Sequence, residues 1–139
     1  ASVFNFSITK SFSIGELPSS YALTLYRLTN CKNNSTVTLN AGGLSLTFDT
    51  GDLLFKGGSG SISDSDGRWR FTYNFAASPA EVISLDGFAS FYVEGWDYLE
   101  IRSVGKPIGS GDTIIQIREP FAAIIHEVYK AADLNSLGI

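Results

Sequence analysis

The feature that most constrains the fold is a strict alternation of aromatic and polar residues between positions 68 and 75. The aromatic residues are Trp69, Phe71, Tyr73 and Phe75, and the polar ones are Arg68, Arg70, Thr72 and Asn74. Successive side chains of a β-strand point to opposite faces, so this spacing directs all four rings toward one core. A helix would distribute the same rings around its circumference. The segment therefore predicts a core β-strand.

Short strands separated by turn residues account for most of the remaining chain. Each apolar or alternating run is bounded by Gly, Pro or Asp on at least one side, and turn signals recur about every 8–12 residues, as in sandwiches and barrels. The other predicted strands are 3–12, 36–39, 44–48, 53–55, 88–93, 96–103, 113–119 and 121–129. Residues 40–43 predict a hairpin turn, and the Gly-rich residues 56–61 predict a flexible turn. At 139 residues the chain fits one mainly-β, antiparallel, sandwich-like domain over residues 1–139.

One segment has helical features. Ser19 and Ser20 precede an apolar run, which is a helix N-cap signal. Four residues would share one helical face: Ala22, Leu25, Tyr26 and Thr29. Alternation fits this segment as well, and Thr and Tyr favour strands. We predict at most one short α-helix near residues 19–30, and one helical turn in the tail 133–139.

Charge and hydropathy exclude two classes of partner. Ten basic and fourteen acidic side chains give a net charge of −4, and the densest basic spot is the pair Arg68 and Arg70. Nucleic-acid binding requires clustered Lys and Arg, so we expect none. A membrane span needs about 20 apolar residues, and Phe121–Ile125, the longest run, has five. We see no signal peptide; because the chain begins at Ala1, we expect removal of Met or trimming from a precursor.

The low charge points to a surface covered by other molecules. Only 17% of residues are charged and 44% are hydrophobic, so we expect contacts between copies of the chain. Residues 121–129 are apolar on both strand faces, which predicts coverage by the core on one side and by a helix or partner on the other. The N-terminal strand 3–12 can pair with its own sheet or be exchanged with a neighbouring subunit.

The triplet Asp49-Thr50-Gly51 is the one tempting catalytic motif. Aspartic proteases pair two such aspartates as base and acid, and a dimer of this chain could supply both. However, Asp52 would place another charge beside the pair, and the triplet occurs once. A hairpin turn explains it better, although a protease in which Asp49→Asn abolishes cleavage stays a minor alternative.

No other motif completes a chemical site. Residues 64–67 resemble half of a calcium loop, but position 12 of that loop would be Phe75 instead of Glu. Cys31 lacks the partners of a disulfide or zinc site, so we expect a small buried residue. His126 is the sole histidine and is expected to be packed or at an interface. The Gly-rich residues 57–60 lack the Lys-Ser/Thr ending of a phosphate-binding loop. We therefore expect no enzyme activity, metal or cofactor.

A contact surface is the remaining possibility. Alternation over 96–103 predicts that Leu99 and Ile101 face the core and that an aromatic and charged set faces outward. Aromatic residues and Arg are enriched in interface hot spots. The predicted interface residues are Arg68, Arg70, Trp96, Tyr98, Glu100, Arg102 and His126. These aromatics could equally pack under a loop, and aromatic plus acidic groups could also stack a sugar ring.

Several stretches are similar to a largely uncharacterised family of phage-like and prophage-like proteins. They include a strand ending in Phe-Ala-Ala-Ser-Pro79, Gly95-Trp-Asp-Tyr-Leu99, the closing Val-Tyr129 with Asp-Leu-Asn-Ser-Leu-Gly-Ile139, and Leu53-Leu-Phe-Lys-Gly-Gly-Ser-Gly60. The chain resembles the C-terminal portion of members that are longer at the N-terminus. The resemblance implies a virion protein of the tail, neck or head surface, and it supplies no catalytic residue.

These observations predict a non-enzymatic structural component of a phage or phage-like particle, located in the virion. Its expected partners are copies of itself and other virion proteins, with no nucleic acid and no membrane. The alternative is a carbohydrate-binding β-sandwich of the lectin or receptor-binding kind. A sugar binder should keep Trp96 or Tyr98 exposed, whereas an assembly protein should bury them between subunits.

Overall fold

A computed structural model describes residues 3–13, 15–62, 67–85, 87, 89–109, 111 and 115–139. Within these residues the chain is mainly β, with antiparallel sheets, one α-helix and one 3₁₀ helix. The strands are β1 (Phe4–Ser13), β2 (Cys31–Asn33), β3 (Val37–Ala41), β4 (Leu44–Phe48), β5 (Leu53–Ile62), β6 (Arg68–Ala77), β7 (Glu81–Leu85), β8 (Ala89–Val93), β9 (Asp97–Ile108), β10 (Ile115–Glu127) and β11 (Lys130–Ala132). The helices are α1 (Tyr21–Leu28) and a 3₁₀ helix (Leu134–Leu137). The mainly-β class is confirmed, whereas the sandwich arrangement stays a prediction.

A five-stranded sheet carries the core. Its order is β1-β6-β5-β2-β11, and all neighbours are antiparallel except β2 and β11. The predicted aromatic face of β6 is confirmed, because Tyr73 and Phe75 are fully buried and pack against Phe55 of β5. Exposure increases along the same face toward Trp69, which is 37% exposed. The row of aromatic rings is therefore buried at its Phe75 end and partly exposed at its Trp69 end.

The predicted helix near 19–30 is confirmed as α1, which covers one side of this core. Its residues Tyr21 and Leu28 are buried. The Tyr21 hydroxyl donates to the carbonyl of Leu137 at 2.6 Å and lies 2.6 Å from the hydroxyl of Tyr73, from which it accepts. Because each buried hydroxyl has a partner, α1, β6 and the 3₁₀ helix are joined without an unpaired polar group. Ser20 occupies the N-cap position, although its side chain makes no capping bond.

Three further pairs of strands form separate antiparallel hairpins: β3–β4, β7–β8 and β9–β10. The predicted turn at 40–43 is confirmed as a shorter turn at Gly42 and Gly43. Both have positive φ, 56° and 81°, as two-residue hairpin turns require. Neither α1 nor the 3₁₀ helix is long and apolar enough to cross a membrane, within the residues described.

The prediction of a flexible turn at 56–61 is wrong, because these residues continue strand β5 to Ile62. Their glycines make room for neighbours. A Cβ atom at Gly58 would overlap the Thr72 carbonyl oxygen, and one at Gly60 would overlap the Phe71 ring. Gly57, with φ 101°, adjoins a register shift in the pairing with β6. Composition indicated flexibility, but close packing is what requires glycine here.

Other differences concern short or interrupted strands. The predicted strands 113–119 and 121–129 are one strand, β10, with an irregularity between Pro120 and Ala122. Strands β2 and β11 have three residues each, too few to show a period, and β7 was not predicted. The predicted turn at 64–67 lies largely outside the described residues. Strand β1 pairs with β6 of its own chain, and its exchange with a neighbour stays a prediction.

The packing of Gly58 gives the first testable prediction. Gly58→Ala should lower the free energy of unfolding by about 2 kcal/mol, because the added methyl group must displace backbone of β6. Ser61→Ala, at an exposed position of the same strand, is the control and should stay within about 0.5 kcal/mol of wild type. Urea denaturation measures both, and equal stability of the three proteins would contradict the tight β5–β6 packing.

Candidate functional site

The hairpin formed by β9 and β10, called the arm below, is poorly covered by the rest of the described chain. Its strands have 12 and 13 residues, and twelve extended residues span about 40 Å. No arm residue whose exposure is described is buried. This result corrects two expectations: Leu99 and Ile101 are half-buried and outside the core cluster, and the 121–129 segment is not covered by the chain's own core.

Large apolar side chains on the arm face solvent. They are Tyr98, Val104, Ile108, Ile117, Phe121 and Ile125. An isolated two-stranded hairpin is marginally stable in water and normally needs further strands or a packed face. A cluster of exposed apolar groups also marks interaction surfaces in soluble proteins. The arm therefore has the composition and the exposure of a contact element.

The base of the arm is tied to the five-stranded sheet by Lys32 of β2, which is 3% exposed. Its Nζ lies 2.7 Å from Oδ1 of Asp97, 3.5 Å from Oε2 of Glu94 and 4.0 Å from Oε2 of Glu127. Burial alone lowers the pKa of an ammonium group. The hydrogen bond to Asp97 and the three negative charges outweigh burial, so the pKa of Lys32 is raised. The ammonium group thus stays charged and holds both strands of the arm.

Trp96 strengthens this attachment instead of facing outward. Its indole Nε1 donates to the carbonyl of Asp52 at 3.0 Å, and its ring meets Tyr129 edge-on with centroids 5.6 Å apart. Trp96 is half-buried. These contacts favour packing of Trp96 inside its own chain over a role at an interface.

Four predicted interface residues do meet, on one face of the arm. His126 is the cross-strand partner of Tyr98, and their rings stack with centroids 4.7 Å apart. Nε2 of His126 lies 3.1 Å from Oε2 of Glu100, and Nε of Arg102 lies 3.7 Å from the same oxygen. The hydrogen bond with His126, with a contribution from Arg102, lowers the pKa of Glu100. Proximity of His126 to the other three could not be predicted without the strand register.

The other two predicted interface residues lie on a different sheet. Arg68 and Arg70 belong to β6, and Arg68 donates to the Ser13 hydroxyl at 2.9 Å and to the Ser11 carbonyl at 3.4 Å. These bonds hold β1 against β6. The seven residues therefore do not form one patch: Tyr98, Glu100, Arg102 and His126 form one cluster, Trp96 lies at the arm base, and the two arginines lie on the main sheet.

The Asp49–Asp52 segment is a tight turn that connects two sheets. The Asp52 amide donates to the Asp49 carbonyl at 3.1 Å, and Gly51 has φ 83°. The expected hairpin is not formed, because β4 pairs with β3 whereas β5 pairs with β6 and β2. Burial, followed by the charge of Asp49, raises the pKa of Asp52. Asn33 bridges the turn by donating to the Asp49 carbonyl at 2.8 Å.

Among the described residues, the remaining chemical motifs add no site. Cys31 is buried, as predicted, and its thiol lies 3.5 Å from the Arg27 carbonyl oxygen. Within the described part of the chain, no group of three His, Cys, Asp or Glu residues could hold a metal ion. The calcium-like residues 64–66 lie outside the described residues.

Removal of the Lys32 ammonium group should destabilise the fold. Lys32→Met keeps most of the volume but leaves the nearly buried Asp97 carboxylate unpaired, and we expect a loss of about 3 kcal/mol. Because folding raises the pKa of Lys32, this difference should persist below its usual value of 10.5 and shrink as the pH rises through the folded value. The exposed Lys130→Met is the matched control in urea denaturation; equal effects of both variants would refute the anchoring role.

The cluster on the arm makes a separate prediction for Glu100. An NMR titration of its carboxyl carbon should give a pKa below the usual 4.5, and the stabilisation it reflects should disappear as the pH falls through that lowered value. His126→Phe keeps a ring against Tyr98 but removes the hydrogen bond, so the pKa should rise toward 4.5. An unchanged Glu100 titration in this variant would exclude the contact.

Comparison with known proteins adds no assignment. No family model, no curated protein and no solved structure matches this chain. The function must therefore be inferred from the arm, its anchor and the surfaces beside them.

Proposed function

We propose that this protein is a non-enzymatic structural component of a phage-like particle and that the arm is its main subunit contact. The observation that carries the proposal is the arm itself, a long two-stranded hairpin with no buried residue among those described. Such an element lacks the packing that a hairpin needs. A neighbouring subunit would supply that packing.

The anchor at the arm base supports the same function. Lys32 and Trp96 attach the two ends of the hairpin to the main sheet. An arm fixed at its base presents a defined surface, and a contact with a preorganised surface loses less conformational entropy than one with a mobile segment. Repeated contacts in a symmetric array then add up to a stable assembly even where a single contact is weak.

The placement in a virion depends on the resemblance of sequence stretches, above all Gly95–Leu99 and Val128–Ile139. The first of these enters β9, and the second follows β10 and contains the 3₁₀ helix. The stretches that resemble phage-like proteins therefore flank the arm. Copies of this chain and other virion proteins are the proposed partners.

Carbohydrate binding stays the alternative, and the exposure of Tyr98 favours it. This ring is 52% exposed and lies beside Glu100 and Arg102, which is a combination that can stack and hydrogen-bond a sugar. Chemical-shift changes at Tyr98 on titration with neutral oligosaccharides, in a chain that stays monomeric, would favour this function over assembly.

Assembly can be tested with a variant that makes the arm less apolar without breaking its strands. The triple variant Val104→Thr, Ile117→Thr and Ile125→Thr keeps β-branched residues in the arm. If these side chains are buried between subunits, self-association should weaken at least tenfold, because every 1.4 kcal/mol of lost burial is a factor of ten. Sedimentation velocity over a range of concentrations measures the change.

A matched control also replaces three exposed aliphatic side chains by Thr, but outside the arm: Leu44→Thr, Ile62→Thr and Val82→Thr. It should assemble like wild type, and circular dichroism should show both triple variants folded. A wild-type chain that stays monomeric at high concentration, or an arm variant that assembles normally, would overturn the proposal.

A further inference from the structure

A groove of about 700 Å³ lies between α1 and the sheet, at the surface end of the β6 aromatic row. Its walls include Leu25 and Tyr26 of α1 and the rings of Trp69 and Phe71 of β6, and Gly60 of β5 also lines it. The size is within the range of about 300–1,000 Å³ that is usual for binding pockets. The groove is open among the described residues.

The sequence explains why the groove is open. Trp69 stacks on Phe71 with centroids 5.7 Å apart, and Phe71 lies where a side chain at Gly60 would otherwise project. The helix α1 covers Tyr73 but leaves Trp69 37% exposed and Tyr26 79% exposed. The aromatic surface formed by these rings is therefore left accessible.

The chemistry of the groove limits its occupant. None of the described residues that line it carries a charge; the polar ones are hydroxyl residues such as Ser13, Ser19 and Ser59. A charged ligand would lose hydration there without gaining a counter-charge. An uncharged, aromatic or aliphatic occupant fits, because aromatic rings pair favourably edge-to-face or offset-stacked.

The arm carries a segment with this chemistry. Phe121 is the extra residue at the irregularity between Pro120 and Ala122 in β10, and it is 60% exposed. Bulges of this kind re-aim side chains and leave one residue outside the strand pairing. The surrounding run, 120–125, contains no charged residue. Each copy has a net charge of −4. Because neither Phe121 nor the groove carries a charge, contact between them brings no like charges together at the junction.

We propose that Phe121 of one copy inserts into the groove between α1 and β6 of the next copy. This inference depends on the proposed assembly function and names the surfaces that meet. Within one chain Phe121 stays exposed while the groove stays open, so the two are not each other's partners in the same copy. Contact between two different surfaces is heterologous, and it builds rings when the rotation closes and filaments when it does not.

Complementation of two variants tests this contact. Phe121→Ser removes the aromatic side chain that is proposed to insert, called the knob. Ala22→Lys places a charge on the helical wall of the groove, and Lys is a good helix former, so α1 should be kept. Each variant alone should self-associate at least tenfold more weakly than wild type. An equimolar mixture should form dimers with one intact junction, since one partner keeps its groove and the other keeps its knob. Sedimentation velocity and native mass spectrometry measure these species.

Two controls separate specific docking from general loss of apolar surface. Tyr92→Ser removes a ring that is 61% exposed on β8, and Leu23→Lys places the same charge on α1 outside the groove. Both should assemble like wild type. Normal assembly of the Phe121→Ser or Ala22→Lys variant, or a mixture that stays monomeric, would overturn the docking.

The outcome also distinguishes this inference from the proposed function. If the arm triple variant fails to assemble but Phe121→Ser and Ala22→Lys assemble normally, the arm contact stands and the groove docking is wrong. If wild type is monomeric, both are wrong. Quenching of Trp69 fluorescence by a neutral oligosaccharide, lost in Ala22→Lys, would instead assign the groove to a sugar and overturn the docking.

Discussion

The buried ammonium group of Lys32 is the interaction on which the shape of this protein depends. Removing a charge from water costs several kcal/mol, which only close counter-charges can offset. The chain supplies them from both ends of the arm, with Asp97 opening β9 and Glu127 closing β10. If either strand moved away from the main sheet, this charge would lose a partner. The electrostatics of one residue therefore fix where this hairpin, with strands of 12 and 13 residues, leaves the domain.

Beyond this anchor the arm has little that holds it. Its polar cluster of Tyr98, Glu100, Arg102 and His126 joins the two strands to each other, not to the domain. Exposed pairs of this kind contribute little free energy and mainly define geometry. The main sheet, by contrast, closes its core completely around Tyr73 and Phe75. The molecule thus combines a closed core with a hairpin that has no buried residue among those whose exposure is described.

Local periodicity predicted the parts that depend on local geometry. Strand β6 was predictable because four rings at period two share one face only in a strand. The helix α1 was indicated by its N-terminal Ser residues and apolar spacing, although its buried residues are Tyr21 and Leu28. The glycines of β5 were misread, because their role is set by Thr72 and Phe71 on the neighbouring strand. The register that brings His126 to Tyr98, and the pairing of Lys32 with three distant carboxylates, join residues far apart in sequence. No local pattern encodes such pairs, so the anchor at Lys32 and the contact of His126 with Tyr98 could not be predicted.

The position of the uncovered surfaces bears on the symmetry of the proposed assembly. An arm that paired with an identical arm would form a two-fold dimer, in which each side chain faces its own copy or a symmetric equivalent. Such a dimer would leave the uncharged groove beside Trp69 empty. A head-to-tail contact uses both surfaces at once, and a subunit that has one donor element and one acceptor groove can extend a ring or a filament by the same step each time.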